Sequence, residues 1–573
     1  MTMSWRGTRR QLLLWTTVAT GGLLAACRQQ ETPTPGTSTQ VPGPSPTSAA
    51  PVGAQTPTAE QQGATTPAPQ PTEPPRRGGI LAFAIDADPP GFDIHQQLTA
   101  AALWILTPCI EPLLRGDPYD PTKLVPALAT EYEISEDRLT YTFRIKQGVK
   151  FHDGAPLTSR DVRASLERVV WPPEGVAVQR RTTFQVVDAI ENPDDYTVRV
   201  HLKRPDSSML TALQVGIYPA HLIESGADLN RPENVIGTGP FRLKRYTPSV
   251  SVELERNPEY HVEGLPYLDG ITAYIMPDPN TVVTAFLSGQ LHIIRPLFQP
   301  PLDLLQRQLG DDLVVEHRPT PVNWGITVMP SKLDPWKDPR VRLAASLVID
   351  RDAMHQAITR GYTKIGGQQY PDGPWALPLE RLRQAAGFST DKNAEIERAR
   401  QLMAEAGYAN GFDVRILTAQ GEPNEPAMLF VRDAWAKIGI RATLDVKELG
   451  LFVSDIINRN FEATQSIFPV SIADPTLVWR EFVPCDTGGN FANICQDDYV
   501  QLLDQIITEA DDTRRKQLVN ELDFRLIDEV GNARIFLGWL TITWGLYRPS
   551  LVTWTWGPYG PADETHMTTW LKQ

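Results

Sequence analysis

The sequence predicts an α/β protein built from more than one lobe. Three observations point there. The chain has 573 residues, more than one ordinary hydrophobic core accommodates. In its second half, strand-like and helix-like periodicities alternate, the pattern of an α/β layer. In its first half, several segments alternate strictly between apolar and polar residues, as half-buried strands do.

The elements follow in chain order. Gly78-Gly79 opens the folded part, and the apolar run Ile80–Ile85 reads as a buried strand, broken afterwards by Pro89, Pro90 and Gly91. Over residues 139–145, Leu139, Tyr141, Phe143 and Ile145 share one face, while Thr140, Thr142 and Arg144 take the other. Residues 196–202 and 250–254 alternate likewise. Thr158 with Asp161 forms a capping box ahead of a helix through Leu166 and Val169. In the second half, Asp391 caps a helix carrying Ile396, Ala399, Leu402, Met403 and Ala406 on one side and stopping at Gly407. A strand at 414–418, a helix at 427–438 and a strand at 440–446 follow. No repeat of solenoid length is visible.

The amino terminus reads as an address. Arg6, Arg9 and Arg10 precede an apolar run at 12–26 that is too short for a comfortable membrane span. The run ends Leu24-Ala25-Ala26-Cys27, small residues before a Cys, which matches a bacterial lipobox. Residues 1–27 are therefore a signal peptide with lipobox, and Cys27 is the expected lipidation site. Two or more acyl chains hold a protein firmly on a bilayer. Thr8-Arg9-Arg10-Gln11-Leu12-Leu13 also resembles a twin-arginine export signal. Residues 28–77 are dense in Pro, Thr, Gln, Ser, Gly and Ala, with no aromatic residue and only Val41 and Val52 as larger aliphatics. Such a segment buries too little surface to offset chain entropy, so a disordered tether is expected.

Composition narrows the function. The formal net charge is −14, and the part beyond the Arg-containing leader is more acidic still. An acidic surface repels nucleic acid and anionic headgroups. The four Cys include no C-x-x-C pair, which argues against a Cys-rich zinc site. Cys485 and Cys495 are close enough for a small disulfide loop in an oxidising compartment, which leaves Cys109 as a buried thiol. No G-x-S-x-G, H-E-x-x-H or G-x-x-x-x-G-K motif occurs. Gly237-Thr238-Gly239 starts like a dinucleotide loop but continues with Pro240. The carboxylate pairs Asp311-Asp312 and Asp511-Asp512 read as solvated caps rather than an acid/base pair. No catalytic constellation is visible and no metal or cofactor is expected, while catalytic groups distant in sequence leave an enzyme open at this point.

An ordered set of motifs then carries a resemblance. It runs Pro126-Ala127-Leu128-Ala129, Leu139-Thr140-Tyr141-Thr142-Phe143, Gly148-Val149-Lys150-Phe151-His152-Asp153-Gly154-Ala155-Pro156-Leu157-Thr158 and Asp161-Val162. It continues with Gly237-Thr238-Gly239-Pro240-Phe241, Arg256-Asn257-Pro258-Glu259-Tyr260, Pro266-Tyr267-Leu268-Asp269, Asp338-Pro339-Arg340-Val341-Arg342, Ile349-Asp350-Arg351 and Ala404-Glu405-Ala406-Gly407-Tyr408. In this order the set resembles the peptide/nickel-type (family 5) extracytoplasmic solute-binding proteins of ABC importers, which include the oligopeptide- and dipeptide-binding proteins. The resemblance implies a two-lobed periplasmic-binding-protein fold, α/β in class, with an extra inserted domain and a ligand cleft between the lobes. Carried over, lobe I is 78–107, 236–318 and 534–573, the inserted domain is 108–235, and lobe II is 319–533. His152 falls in what looks like a scaffold turn.

The same resemblance implies a monomeric receptor outside the cytoplasm, held to the cell membrane by its lipid. It would deliver a small peptide or oligosaccharide to the permease subunits of an ABC transporter. Two other readings stay open from sequence, a lipid-anchored hydrolase and the binding subunit of a sensory system. In peptide-binding relatives an Asp four residues before a Pro pairs with the ligand's α-amino group; here Ser471 stands four residues before Pro475, and Asp474 directly precedes it. Cys485 falls where dipeptide-binding relatives place half of a disulfide. Asn323, Trp324, Phe468, Ser471 and Trp539 are the expected ligand-binding residues, with Trp479 and Trp544 in segments that approach the cleft. Flat aromatic walls suit sugar rings or apolar side chains.

Overall fold

The computed structural model describes residues 74–571 except 98, 118–122, 179–180, 295–300, 360–363, 372, 422, 470, 472, 488, 531–532, 548–550 and 554–566. At 100, 316–321, 359, 467–469, 540–544, 547 and 551–553 it describes the backbone alone. Cys27, the lipidation site expected from sequence, and the segment 28–73 lie outside the described residues.

A ten-stranded sheet forms the frame. Edge to edge its strands are Ile440–Lys447, Phe412–Ala419, Ala463–Pro469, Leu313–Val328, Arg534–Tyr547, Ile293–Ile294, Ile80–Ile85, Gly270–Ile275, Ser251–Arg256 and Phe241–Thr247. The two central strands are long and pair antiparallel, from Leu313 opposite Tyr547 to Thr327 opposite Arg534. Their two ends belong to different cores. Leu313, Val314 and Leu546 pack with first-half clusters, Leu546 beside Leu81, Phe83, Ile271 and Ala273. Trp324, Ile326, Val328, Ile535 and Leu537 pack in another core with Val341, Leu402, Ile416, Val431 and Trp435. Two separately packed bodies thus share one pair of crossing strands, which is what a hinge between lobes requires.

A separate antiparallel sheet, in the order Ala129–Ile134, Thr140–Ile145, Thr197–Leu202, Val187–Asp194, closes its own core against helix Ser159–Val170. The alternation at 139–145 reappears as Tyr141, Phe143 and Ile145 buried along strand Thr140–Ile145. Asp161 Oδ2 accepts from Thr158 N–H at 2.8 Å, so the capping box forms. In the second half, Asp391 caps helix Lys392–Glu405 through Ala394 N–H at 3.1 Å. Helix Asn424–Ala436 begins three residues before the expected start, because chain reversal after strand Phe412–Ala419 is completed earlier.

Two buried polar seams tie the smaller sheet's domain to the first body. In one, Arg168 pairs with Asp93 at 2.5 Å and donates to His95 Nδ1 at 2.9 Å, so His95 Nε2–H donates to Gly216 O at 2.8 Å. Burial lowers the His95 pKa to about 4, against the nearby Asp93. In the other, Glu111 accepts from Thr238 Oγ1 at 2.8 Å, Tyr260 OH at 3.0 Å and His261 Nε2 at 2.9 Å. His152 stays in its turn, bonded to Gly239 O at 3.0 Å and to Gly237 N–H at 3.3 Å. Cys485 and Cys495 are bonded, with Cα atoms 5.4 Å apart, and Cys109 is buried, its Sγ–H donating to Ile105 O at 3.3 Å.

Candidate functional site

The site is built where the crossing strands meet two other segments. Asn323 sits on strand Leu313–Val328 directly opposite Trp539 on one neighbour and Phe468 on the other. It is buried, its Oδ1 accepts from Arg534 Nη2, and its Nδ2–H donates to Gln368 O at 3.0 Å. Arg534 can lie there because residue 325 is Gly; a Cβ at that position would stand 3.1 Å from Arg534 Nε and 2.9 Å from Ile535 O. Burial holds the Arg534 pKa well below its ordinary value.

The segment 366–370 is held from three sides. Trp539 Nε1–H donates to Gly367 O at 2.8 Å, and Asn323 holds Gln368 O. From below, the Asp523 carboxylate accepts from Gln368 N–H at 2.8 Å and Gln369 N–H at 3.3 Å. Gly367 is required, since a Cβ would come within 2.4 Å of Asp523 Oδ2. Burial raises the Asp523 pKa to about 7, opposed by those two N–H donors.

The second segment is the turn at 471–475. Ser471 is half-buried and its Oγ accepts from Asp474 N–H at 3.3 Å. Asp474 is 2 % exposed. One of its oxygens takes Arg515 Nη2 at 2.6 Å, and the other accepts from Thr476 N–H at 2.9 Å and Oγ1–H at 2.6 Å. Both oxygens are engaged, and Asp474 holds Thr476, the first residue of helix Thr476–Phe482, from just ahead of the N-cap Pro475. Trp375 Nε1–H reaches Ala473 O at 3.1 Å, and Arg515 lies 4.8 Å over the Trp375 ring.

One helix, Asp512–Asp528, backs both segments: Arg515 holds Asp474, Asn520 holds Trp375 O at 3.1 Å, and Asp523 holds 368–369. None of these three belongs to the residues expected from sequence. A signal was present, because Arg515 and Asp523 fall on the stripe formed by Val519, Leu522 and Leu526, where the helical period calls for apolar residues.

The expected binding residues separate. Asn323 and Trp324 are adjacent in a strand, so their side chains leave by opposite faces; both cannot line one wall. Trp324 is 1 % exposed inside the core of Ile326, Val341 and Trp435, a packing position and not a cleft wall. Trp539 is fully buried, edge-on to Tyr370 at 5.5 Å, and supports 366–370 rather than presenting its face. Trp479 is buried in the cluster of Tyr499, Leu503 and Leu522. The side chains of Phe468 and Trp544 lie outside the described residues. Among the described residues no group of three His, Cys, Asp or Glu could hold a metal ion, and no helix is long and apolar enough to cross a membrane.

A family profile described as bacterial extracellular solute-binding proteins, family 5, matches residues 123–490. The chain belongs to this family. Its fold is the family's two-lobed α/β periplasmic-binding-protein fold with an inserted domain. A periplasmic binding protein of Helicobacter pylori, solved with the peptide STSA, superposes with a TM-score of 0.74 at 21 % identity, covering 87 % of this chain and 99 % of that one. A glutathione-binding protein of Pectobacterium atrosepticum is 28 % identical over 347 residues, 60 % of this chain and 64 % of its own length. The chain thus spans just under two thirds of that relative. A protein of Brucella ovis, named provisionally an ABC transporter peptide-binding protein, is 27 % identical over 533 residues, 87 % of this chain and 94 % of its own.

Proposed function

We propose that the protein is the lipid-anchored, extracytoplasmic receptor of an ATP-driven importer and captures a small solute that is neutral at the end meeting Ser471. In this reading, 78–107, 236–318 and 534–573 form the first lobe, 108–235 the inserted domain, and 319–533 the second lobe. The ligand touches both lobes only when they close, so binding shifts the population toward the closed form that the permease recognises. Relatives named for peptides and glutathione support a peptide-like ligand. The chemistry at the turn supports one without a buried terminal ammonium, either an amino-blocked peptide or an oligosaccharide.

The observation that carries this is the engagement of Asp474. To neutralise an ammonium it would have to abandon Arg515 and its bonds to Thr476. Ser471 offers a hydroxyl, which does not replace a carboxylate for a buried cation. Calorimetry with a di- to pentapeptide library, the same library N-acetylated, and a panel of neutral oligosaccharides is the test. Binding is expected from the acetylated or saccharide set, at least tenfold tighter than from free-amino peptides, each tenfold being about 1.4 kcal/mol. Micromolar binding of free-amino peptides that vanishes on acetylation overturns the ligand reading. The anchor has its own check: Cys27→Ala should move the protein from the membrane fraction to the soluble one, and a variant that stays membrane-bound refutes it.

A further inference from the structure

The hinge strands are not the sole link between the second body and the rest. Arg480, on helix Thr476–Phe482, reaches Asp206 of the smaller sheet's domain at 2.5 Å, and both side chains are nearly sealed, at 9 % and 0 % exposure. Arg480 also donates to Ser208 Oγ at 3.2 Å, and Asp206 is fixed by Ser208 N–H at 2.9 Å and Ser208 Oγ–H at 2.7 Å. Ser207 N–H donates to Ile507 O at 2.9 Å, and Leu477 inserts into the core that holds Phe184, Val187 and Leu213. Around this centre, Thr182 Oγ1–H donates to Glu481, and Arg204 pairs with Asp504 at 2.5 Å in solvent.

The smaller domain is itself fastened to the first body by the Asp93–Arg168 and Glu111 seams. A body that turns about the crossing strands and also grips the domain beyond them cannot rotate without shearing that grip. We propose that Asp206 and Arg480 are positioning residues that latch the second lobe onto the inserted domain and so set the fraction of molecules with the cleft drawn together. The proposal rests on the two-lobed receptor reading. Leu477 and the Ser207–Ile507 bond give the latch its packing and register. The buried ion pair gives it selectivity, since each charge left inside without the other is strongly unfavourable, whereas both are hydrated once the surfaces part. Apparent ligand affinity scales with the fraction of the competent state, so the latch tunes affinity from outside the site.

The test uses the full chain with Cys27→Ala, spin-labelled at Glu133→Cys in the inserted domain and Asp433→Cys in the second lobe; Cys109 is buried and Cys485 is bonded to Cys495, so none of the remaining native cysteines takes the label. Labels at Glu133→Cys and Glu263→Cys serve as an internal control across the fastened seam. Without ligand, Arg480→Met and Asp206→Asn should each enlarge the longer-distance share of the 133–433 distribution relative to the parent, with the 133–263 distance unchanged. The charge swap Asp206→Arg with Arg480→Asp should remove part of it. A folded Arg480→Met protein, by circular dichroism, with the parent's distance distribution overturns the latch. If both buried variants fail to fold, Arg204→Glu, at the solvent-exposed rim, decides: it should enlarge the longer-distance share, and an unchanged distribution overturns the proposal. Failure of the receptor reading shows differently, as a parent 133–433 distance that no peptide, acetylated peptide or oligosaccharide alters.

Discussion

Replacing Asp474 with alanine is expected to destabilise the protein by about 3–5 kcal/mol, the usual result of removing one partner of a buried ion pair. Arg515 is 4 % exposed and stays where it is, because its Nε–H is committed to Ile506 O at 3.0 Å and its guanidinium lies over Trp375. Its charge is then left without a carboxylate. The same substitution removes the acceptor of Thr476 N–H and Oγ1–H at the start of helix Thr476–Phe482, a further loss of about 1 kcal/mol. Arg515→Met in the Asp474→Ala background should recover part of the loss, since no unpaired charge then remains. Urea unfolding of the two single variants and the double variant measures this directly. A loss below about 1 kcal/mol in Asp474→Ala would show that Asp474 is not held as described, and would reopen it as a counter-charge for an ammonium.

Stability should fall as pH drops from 6.5 toward 4. Burial pushes both His95 and His355 down to about 4 from the ordinary 6.5. In that window the unfolded chain takes up protons that the folded chain refuses, so acid favours unfolding. At about 1.4 kcal/mol for each pH unit separating the folded and unfolded titrations, each histidine contributes roughly 3 kcal/mol, present above pH 6.5 and lost as pH falls toward 4. Around His95 stand Asp93 and Arg168, and around His355 stand Arg351 and Asp352. Asp523 acts in the opposite sense. Its raised pKa, about 7, means that the folded chain holds a proton the unfolded chain has released, so its contribution declines as pH rises from 4 to 7. With two histidines against one carboxyl, the thermal midpoint should peak near pH 6.5. Asp523→Asn should abolish the decline between pH 6.5 and 7. A midpoint flat from pH 4 to 6.5 would contradict the buried neutral histidines.

The strands and helices with a strong period were legible. Tyr141, Phe143 and Ile145 alternate because one face of their strand is buried, and Asp391 and Thr158 cap their helices with side-chain or backbone bonds that reach only three residues along the chain. Of the candidate site, Asn323 and Ser471 are the expected residues whose hydrogen bonds involve the segments 366–370 and 471–475. Trp324 was misplaced because a tryptophan beside a polar residue looks the same in sequence whichever face it takes. Register decides that, and pairing with Gly538 and Ile467 turns Trp324 into the core.

By itself, the sequence determined the α/β class and, through motif order, the family. These are local or linear properties, set by periodicity, capping and the order of short segments. Only the tertiary structure decided that Asp474 is spent on Arg515, that Asp523 holds the backbone at 368–369, and that Arg480 meets Asp206. These partners stand 41, 155 and 274 residues apart in the chain. A carboxylate's availability depends on which cation and which N–H groups fold against it, and no local pattern encodes a partner brought in by the packing of separate elements.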